Sequence, residues 1–310
     1  MRLLLALAAM MLGVQLQAGP VRIALLTDSY ALQDTLDLLK ENGCHAESVA
    51  AFRRVVERYN STPGPDFGKF PRARGGFHGF ESPTQLVAAL PHKLYETRHA
   101  YEFNCFDTLQ LLTDGQFRTS KRAGEIQGTI LSLRTLPQGT QVVPTTTVAS
   151  AFTNAYPDWY RQATRDAVPR RLAEFRPILT TGLFRCLELP ANTDERQLDK
   201  IVLKTLQDGW KQMGLVFPTK VQVVLCNQVN VPKRILVSVH AGVLFSRQRG
   251  FTYLEKAGGS GPFVRLDLQA KEDLVPWLSA IFAGAERQGF TNHFVTFNDS
   301  SIMRLELEER

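Results

Sequence analysis

Two short stretches of this chain carry residues able to do chemistry together. The first is Tyr101-Glu102-Phe103-Asn104-Cys105-Phe106-Asp107-Thr108-Leu109, which predicts a helix from Asn104 to Asp114 closed by Gly115. Cys105 falls in its first turn. Unpaired N–H groups and the positive end of the helix dipole favour a thiolate there. The same amides are placed to hold a developing oxyanion. A thiolate nucleophile needs a base, usually His, and the His needs an orienting acceptor.

The second stretch, Arg234-Ile235-Leu236-Val237-Ser238-Val239-His240-Ala241-Gly242-Val243, supplies the base. Alternation puts Ile235, Val237 and Val239 on one face, and Leu236, Ser238, His240 and Gly242 on the other. The small neighbours leave room beside His240 for a substrate or a partner side chain. If the next strand, Thr252 to Lys256, pairs antiparallel with the first, Glu255 lies beside His240. The result is Cys105 as nucleophile, His240 as base and Glu255 as orienter, with the logic of a triad. A rival base is His293, with Asn298 or Asp299 orienting it. That segment is strand-like, but Asn292-His293 follows a Gly-Phe turn and reads as a loop cap. Cys and His are also ordinary core residues, so the pairing, not either residue alone, argues for chemistry.

The elements that must position these groups can be read from periodicity. Val21 to Leu26 is a short apolar opening. Thr27-Asp28-Ser29 then caps a helix closed by Gly43, and Ala46 to Tyr59 is a second helix with Val49, Phe52, Val56 and Tyr59 on one stripe. Asn60 to Glu81 reads as a long loop, in which Phe77 and His78 could shape a lid, and Ser82-Pro83 starts a helix to Tyr95. Gly124 to Leu136 has room for a strand or two, Ala151 to Leu172 is mostly helical with breaks at Pro157 and Pro169, and Asp194 to Met213 is a strongly amphipathic helix. Strands follow at Lys220 to Val229, Lys233 to Arg247, Phe251 to Lys256 and Phe263 to Leu268. A helix from Lys271 to Arg287 and short strands at Phe294 to Phe297 and Ile302 to Leu307 complete the chain. Helices first and an antiparallel sheet second predict an α+β chain.

A Cys opening a helix after a small polar residue, then a strand with His240-Ala241-Gly242-Val243, then a strand with a polar residue at Glu255, resembles the papain-like NlpC-type cell-wall peptidases and amidases. The likeness covers roughly residues 80–115 and 234–277. The family usually opens its helix with Asp-Cys, where this chain has Asn104-Cys105, and its third residue is often His, Asn or Gln, where this chain has Glu255. The resemblance implies a papain-like core in a single domain from residue 19 to 310. The long separation of Cys105 from His240 then implies an inserted subdomain at about 120–219. It further implies hydrolysis of amide bonds in peptidoglycan peptides or other amides, without a cofactor. Tyr101, just upstream of the Cys, would flank the site, with Asn104 and Ser238 as further substrate contacts.

Composition narrows the classes that remain. With 44% hydrophobic and 21% charged residues the chain is neither disordered nor collagen-like. The net charge of +6 is spread along the sequence with no run of five or six basic residues, so nucleic acid is not the expected partner, while an anionic wall polymer fits. Arg2, the apolar run Leu3 to Val14 and the polar stretch ending at Ala18 predict a signal peptide at 1–18, cut near Ala18, and hence a periplasmic or secreted protein. The run is too short to span a membrane, and no other is long enough, so no stable membrane insertion is expected. No CxxC or HExxH pair supports a metal site. Cys186 and Cys226 fall on candidate strands, either as a bridge or as two separate thiols.

Overall fold

The computed structural model describes residues 21–61, 77–80, 103–136, 139–156, 161, 164–165, 167–257, 261–281 and 289–305. The expected signal peptide at 1–18, the helix from Ser82 to Tyr95, and Tyr101 lie outside these residues. The architecture is α+β, with one large antiparallel sheet and helices packed on it.

The N-terminal part gives strand β1 (Val21–Leu25), helix α1 (Ser29–Glu41), helix α2 (Ala46–Ser61) and strand β2 (Phe77–Phe80). Asp28 caps α1 by accepting the Ala31 N–H at 3.0 Å. Helix α3 (Cys105–Leu112) follows, then β3 (Arg118–Thr119), the hairpin β4 (Ile130–Leu136) and β5 (Gly139–Thr145), α4 (Val148–Ala155), a single turn at Arg170–Ala173, α5 (Arg176–Leu183) and β6 (Cys186–Glu188). Helix α6 (Leu198–Met213) and β7 (Leu215–Val216) lead into the strands β8 (Val221–Asn230), β9 (Ile235–Ser246), β10 (Phe251–Lys256) and β11 (Phe263–Leu268). Helix α7 (Val275–Ile281), β12 (Asn292–Phe297) and β13 (Ser301–Leu305) finish the chain.

The main path of the sheet runs β13-β12-β8-β9-β10-β11-β1-β2, and β6 adds to β9 to carry the β4–β5 hairpin. Strands β8 to β11 form a meander because the turns between them are short. Gly250 makes the β9–β10 turn at φ +76, and a side chain there would strike the Leu268 carbonyl, so only glycine fits. The central strands are buried on both faces. Val223, Leu225, Ala241, Val243, Phe245 and Leu254 join a first apolar cluster with Leu36, Phe52, Phe106, Leu109, Val202 and Trp210 from the helices. Val224, Cys226, Leu244, Tyr253, Val264 and Leu266 join a second with Trp277 and Leu278 of α7. Successive residues of one strand thus feed opposite cores, as period two requires.

The structure corrects the element reading in two places and fills a stretch that the sequence left unassigned. The opening Val21–Leu25 is a sheet strand between β11 and β2, so strands do not all follow the helices. Phe77 and His78 belong to strand β2, with His78 opposite Ile23, and are not part of an irregular lid. Residues Arg176–Leu183 are helical although Pro177 stands in them, because a proline in the first turn removes an N–H that has no helical partner. The stretch 120–219 shares the common core. Leu179, Leu183, Leu187, Val202 and Leu206 lie in the first cluster, and Cys186 pairs with Val237. Among the described residues no helix is long and apolar enough to cross a membrane.

Candidate active site

Helix α3 is anchored from its first residue. The Asn104 side chain accepts the Asp107 N–H at 3.0 Å, and the Asn104 carbonyl accepts the Thr108 N–H at 3.0 Å. Cys105 and Phe106 are therefore the amides at the open end of the helix. The Asn104 amide nitrogen donates to the Tyr156 hydroxyl at 3.1 Å, which fixes the cap residue itself. Asp107 accepts from Arg176 twice, from Nε at 2.9 Å and from Nη2 at 2.8 Å, and this pair is buried. Arg176 also donates to Thr164 at 2.5 Å. Gln110 donates to Thr180 at 2.5 Å and ties the next turn of α3 to α5.

His240 enters from β9 and Glu255 from β10. The β8–β9 register pairs Cys226 with His240 but Asn227 with Ser238, so Val239 is an extra residue, a β-bulge. The bulge resets the alternation. Leu236 and Ala241 both join the first cluster, which strict alternation forbids, while Val239 packs on the second. Ser238 keeps the face of Leu236, and His240 takes the opposite face with Cys226, Gly242 and Tyr253. The expected shared face of Ser238 and His240 is thus corrected by one inserted residue. Ser238 donates its hydroxyl to Asn227 at 2.6 Å.

His240 Nε2 lies 2.7 Å from Glu255 Oε2. The same oxygen accepts the Tyr253 hydroxyl at 2.7 Å, and Oε1 accepts the Trp277 indole N–H at 2.8 Å. A carboxylate only accepts, so Nε2 carries the proton and Nδ1 is the ring nitrogen left for Cys105. Cys105 stands close enough to His240 to act on the ring through its charge and a side-chain hydrogen bond, both of which raise the His240 pKa. This contact joins the helix N-terminus to the second core. Burial works to lower the His240 pKa. The charges of Glu255 and Cys105, with side-chain hydrogen bonds to both, outweigh burial and push it up to about 10. The arrangement brings a thiol at a helix N-terminus, an imidazole and a carboxylate side chain into one buried row.

This shift sets a pH dependence of stability. The folded pKa lies above the unfolded value of about 6.5, so the stabilisation is complete below that value and is lost as the pH rises toward about 10. Melting temperatures measured from pH 6.5 to 10 are expected to fall by several degrees, a loss on the order of a few kcal/mol. His240→Gln is expected to flatten the curve. An equal slope in both proteins would show that His240 is not charged in the fold.

The rival residues lie on β12 and in the turn after it. His293 is buried on β12 opposite Gln228, and burial holds its imidazole below the ordinary range. Asn298 sits at φ +53 and accepts the Val223 N–H at 2.7 Å while donating to the Pro218 carbonyl at 2.9 Å, so its amide is committed to a turn. All four cysteines are free and buried. Burial pushes Cys44 and Cys186 up to about 12 and Cys226 well above the ordinary thiol range. Among the described residues no group of three or more His, Cys, Asp and Glu side chains is placed to hold a metal ion. A separate cavity of about 450 Å³, lined by Leu187, Gly209, Gln212 and Arg234 among others, contains none of the triad residues.

Sequence reasoning missed Tyr253 and Trp277. Tyr253 was within reach of it, because it stands two residues before Glu255 on the same strand and so shares its face. Trp277 reaches the site from a helix after the next strand, and no local pattern signals that.

A family model described as Domain of unknown function (DUF4300) matches residues 183–302. That span holds His240, Tyr253, Glu255 and Trp277, but not Cys105. No curated protein and no solved structure matches the chain.

Proposed function

We propose that this protein is an exported cysteine hydrolase of amide bonds, with an NlpC-type papain-like arrangement of its catalytic groups. The observation that carries the reading is the buried chain from Cys105 through His240 to Glu255, with a helix N-terminus at the sulfur. In this reading the Cys105 thiolate attacks the amide carbonyl carbon. The carbonyl oxygen becomes an oxyanion beside the first amides of α3. His240 gives its Nδ1 proton to the leaving nitrogen as the C–N bond breaks, which leaves a thioester. Water then attacks the thioester, His240 takes the water's proton, and the acid departs with the thiolate restored.

Peptidoglycan stem peptides are the proposed substrate class, supported by the family resemblance, by the signal-peptide pattern at 1–18 and by a net charge of +6 suited to an anionic wall polymer. The test is incubation of the mature protein with purified wall fragments, followed by mass spectrometry. Products that together equal the substrate plus one water are expected. Intact wall peptides, with an equally intact panel of simple amides and esters, would overturn the assignment.

A second reading is a non-catalytic module that grips wall glycopeptide or a partner protein. The observation favouring it is burial, with Cys105 only 5% and His240 4% exposed. In that case Cys105→Ala leaves glycopeptide binding by calorimetry unchanged and no cleavage is seen in either protein.

A further inference from the structure

Glu255 has no exposed side-chain surface, and a buried carboxylate is costly unless its lone pairs are used. Here both oxygens are engaged, Oε1 by Trp277 and Oε2 by Tyr253 and His240. Two of these three donors are neutral groups with no direct part in proton transfer. They arrive from different elements, Tyr253 from β10 itself and Trp277 from α7. Both side chains are completely buried, so neither donor has water as an alternative. The backbone is also shaped for one of them. A Cβ on Gly242 would fall inside contact distance of the Tyr253 ring and hydroxyl, so the glycine of the His-Ala-Gly-Val strand makes the space in which Tyr253 lies.

We infer that Tyr253 and Trp277 are positioning residues that clamp the Glu255 carboxylate, and that through it they fix which nitrogen of His240 faces Cys105. This rests on the hydrolase reading above and extends it. The physical reason is a balance. Hydrogen bonds to a carboxylate favour its charged form, and burial opposes it. With three donors each carboxylate oxygen has a partner. With His240 alone, Oε1 is left buried without a donor, the carboxylate is no longer fixed, and its support for the imidazolium weakens. The clamp also stops rotation of the carboxylate, so Nε2 stays the protonated nitrogen and Nδ1 stays on the side of the sulfur. The other titratable groups around the pair are Cys226 from β8, and Tyr156, Asp107 and Arg176 on the side of α3. Cys226 and Tyr156 are held neutral by burial.

The test is NMR of His240 in the full-length mature protein, reading the ring titration and the two nitrogen shifts. In the unaltered protein the ring is expected to titrate near 10 with Nε2 protonated in the neutral form. In Tyr253→Phe and in Trp277→Phe the midpoint is expected to fall, and in the double variant to fall by at least about one unit, a tenfold change in proton affinity. The two nitrogens should then average toward a mixture of tautomers. Gly242→Ala should produce the same shift without removing a donor, since it displaces Tyr253. Circular dichroism and melting curves separate these effects from unfolding. Unaltered titrations in folded variants would reduce Tyr253 and Trp277 to packing residues. Cys105→Ser discriminates the two levels of the argument. If it leaves the His240 titration unmoved, the thiol–imidazole reading itself falls. If it moves the titration and the clamp variants do not, only the clamp falls.

Discussion

Cys105→Ala is expected to lower amide hydrolysis by about 10⁴-fold or more, the scale on which nucleophile deletions act in comparable triads. Little else should change. The lost sulfur is small, so the cost in stability should stay near 1 kcal/mol, and the melting temperature should move by only a few degrees. His240→Gln should lose turnover on the same scale. Glutamine can still donate to Glu255, so that variant keeps the third donor that His240→Ala would remove. The decisive comparison is the double variant. Nucleophile and base act as one unit, so Cys105→Ala with His240→Gln should be no slower than either alone. Losses that multiply would show that the two residues act independently and that no proton passes between them. Turnover of Cys105→Ala within tenfold of the unaltered protein removes the thiol from the chemistry altogether.

Arg176→Met is expected to cost about 3–5 kcal/mol of folding stability. Asp107 and Arg176 have side chains only 1% and 7% exposed, and they meet at 2.8 Å. Removing the guanidinium takes two hydrogen bonds and a cation from a buried carboxylate in the first turn of α3, which is far worse than losing the attraction alone. Replacing both partners, with Asp107→Leu added to Arg176→Met, should recover most of the loss, because an apolar pair of similar volume has no charge to strand. Urea unfolding of the three proteins measures this directly. The pair also holds the end of the helix on which Cys105 stands. At temperatures where Arg176→Met remains folded, its turnover should still drop by about 10²-fold, since a shift of an ångström at a reacting atom has that effect. Full activity in the folded variant would confine the pair to stability.

The legible parts of this molecule were those written in local chemistry. Strands β10 and β11 match the expected bounds because alternation and turn residues mark both ends. The pairing of Glu255 with the β9 strand follows from antiparallel geometry, and the β9–β10 register places it opposite Gly242, two residues from His240 on the same face. Illegible parts depended on distant partners. Val21–Leu25 is too short and too apolar to separate strand from buried helix, and it is a strand because β11 and β2 flank it. The bulge at Val239 also left no mark in composition. It needs a count of residues on β8, and without that count Ser238 falls on the wrong face. Arg176 and Asp107 are polar residues with nothing in their neighbourhood to say they would be buried together.

The position of β1 bears on how the molecule comes to its final state. Ile23 pairs with Leu266, so the first strand of the sheet has its neighbour near the far end of the chain. The β8–β11 meander needs only hairpin closures, and these form early and at little entropic cost. Docking of β1 is a contact of very high sequence separation and is expected to follow them. Cys105 and His240 share this property, since helix and strand come from different thirds of the chain. A partly folded or truncated chain therefore does not bring this thiol and this imidazole together, and their meeting is a property of the completed topology alone.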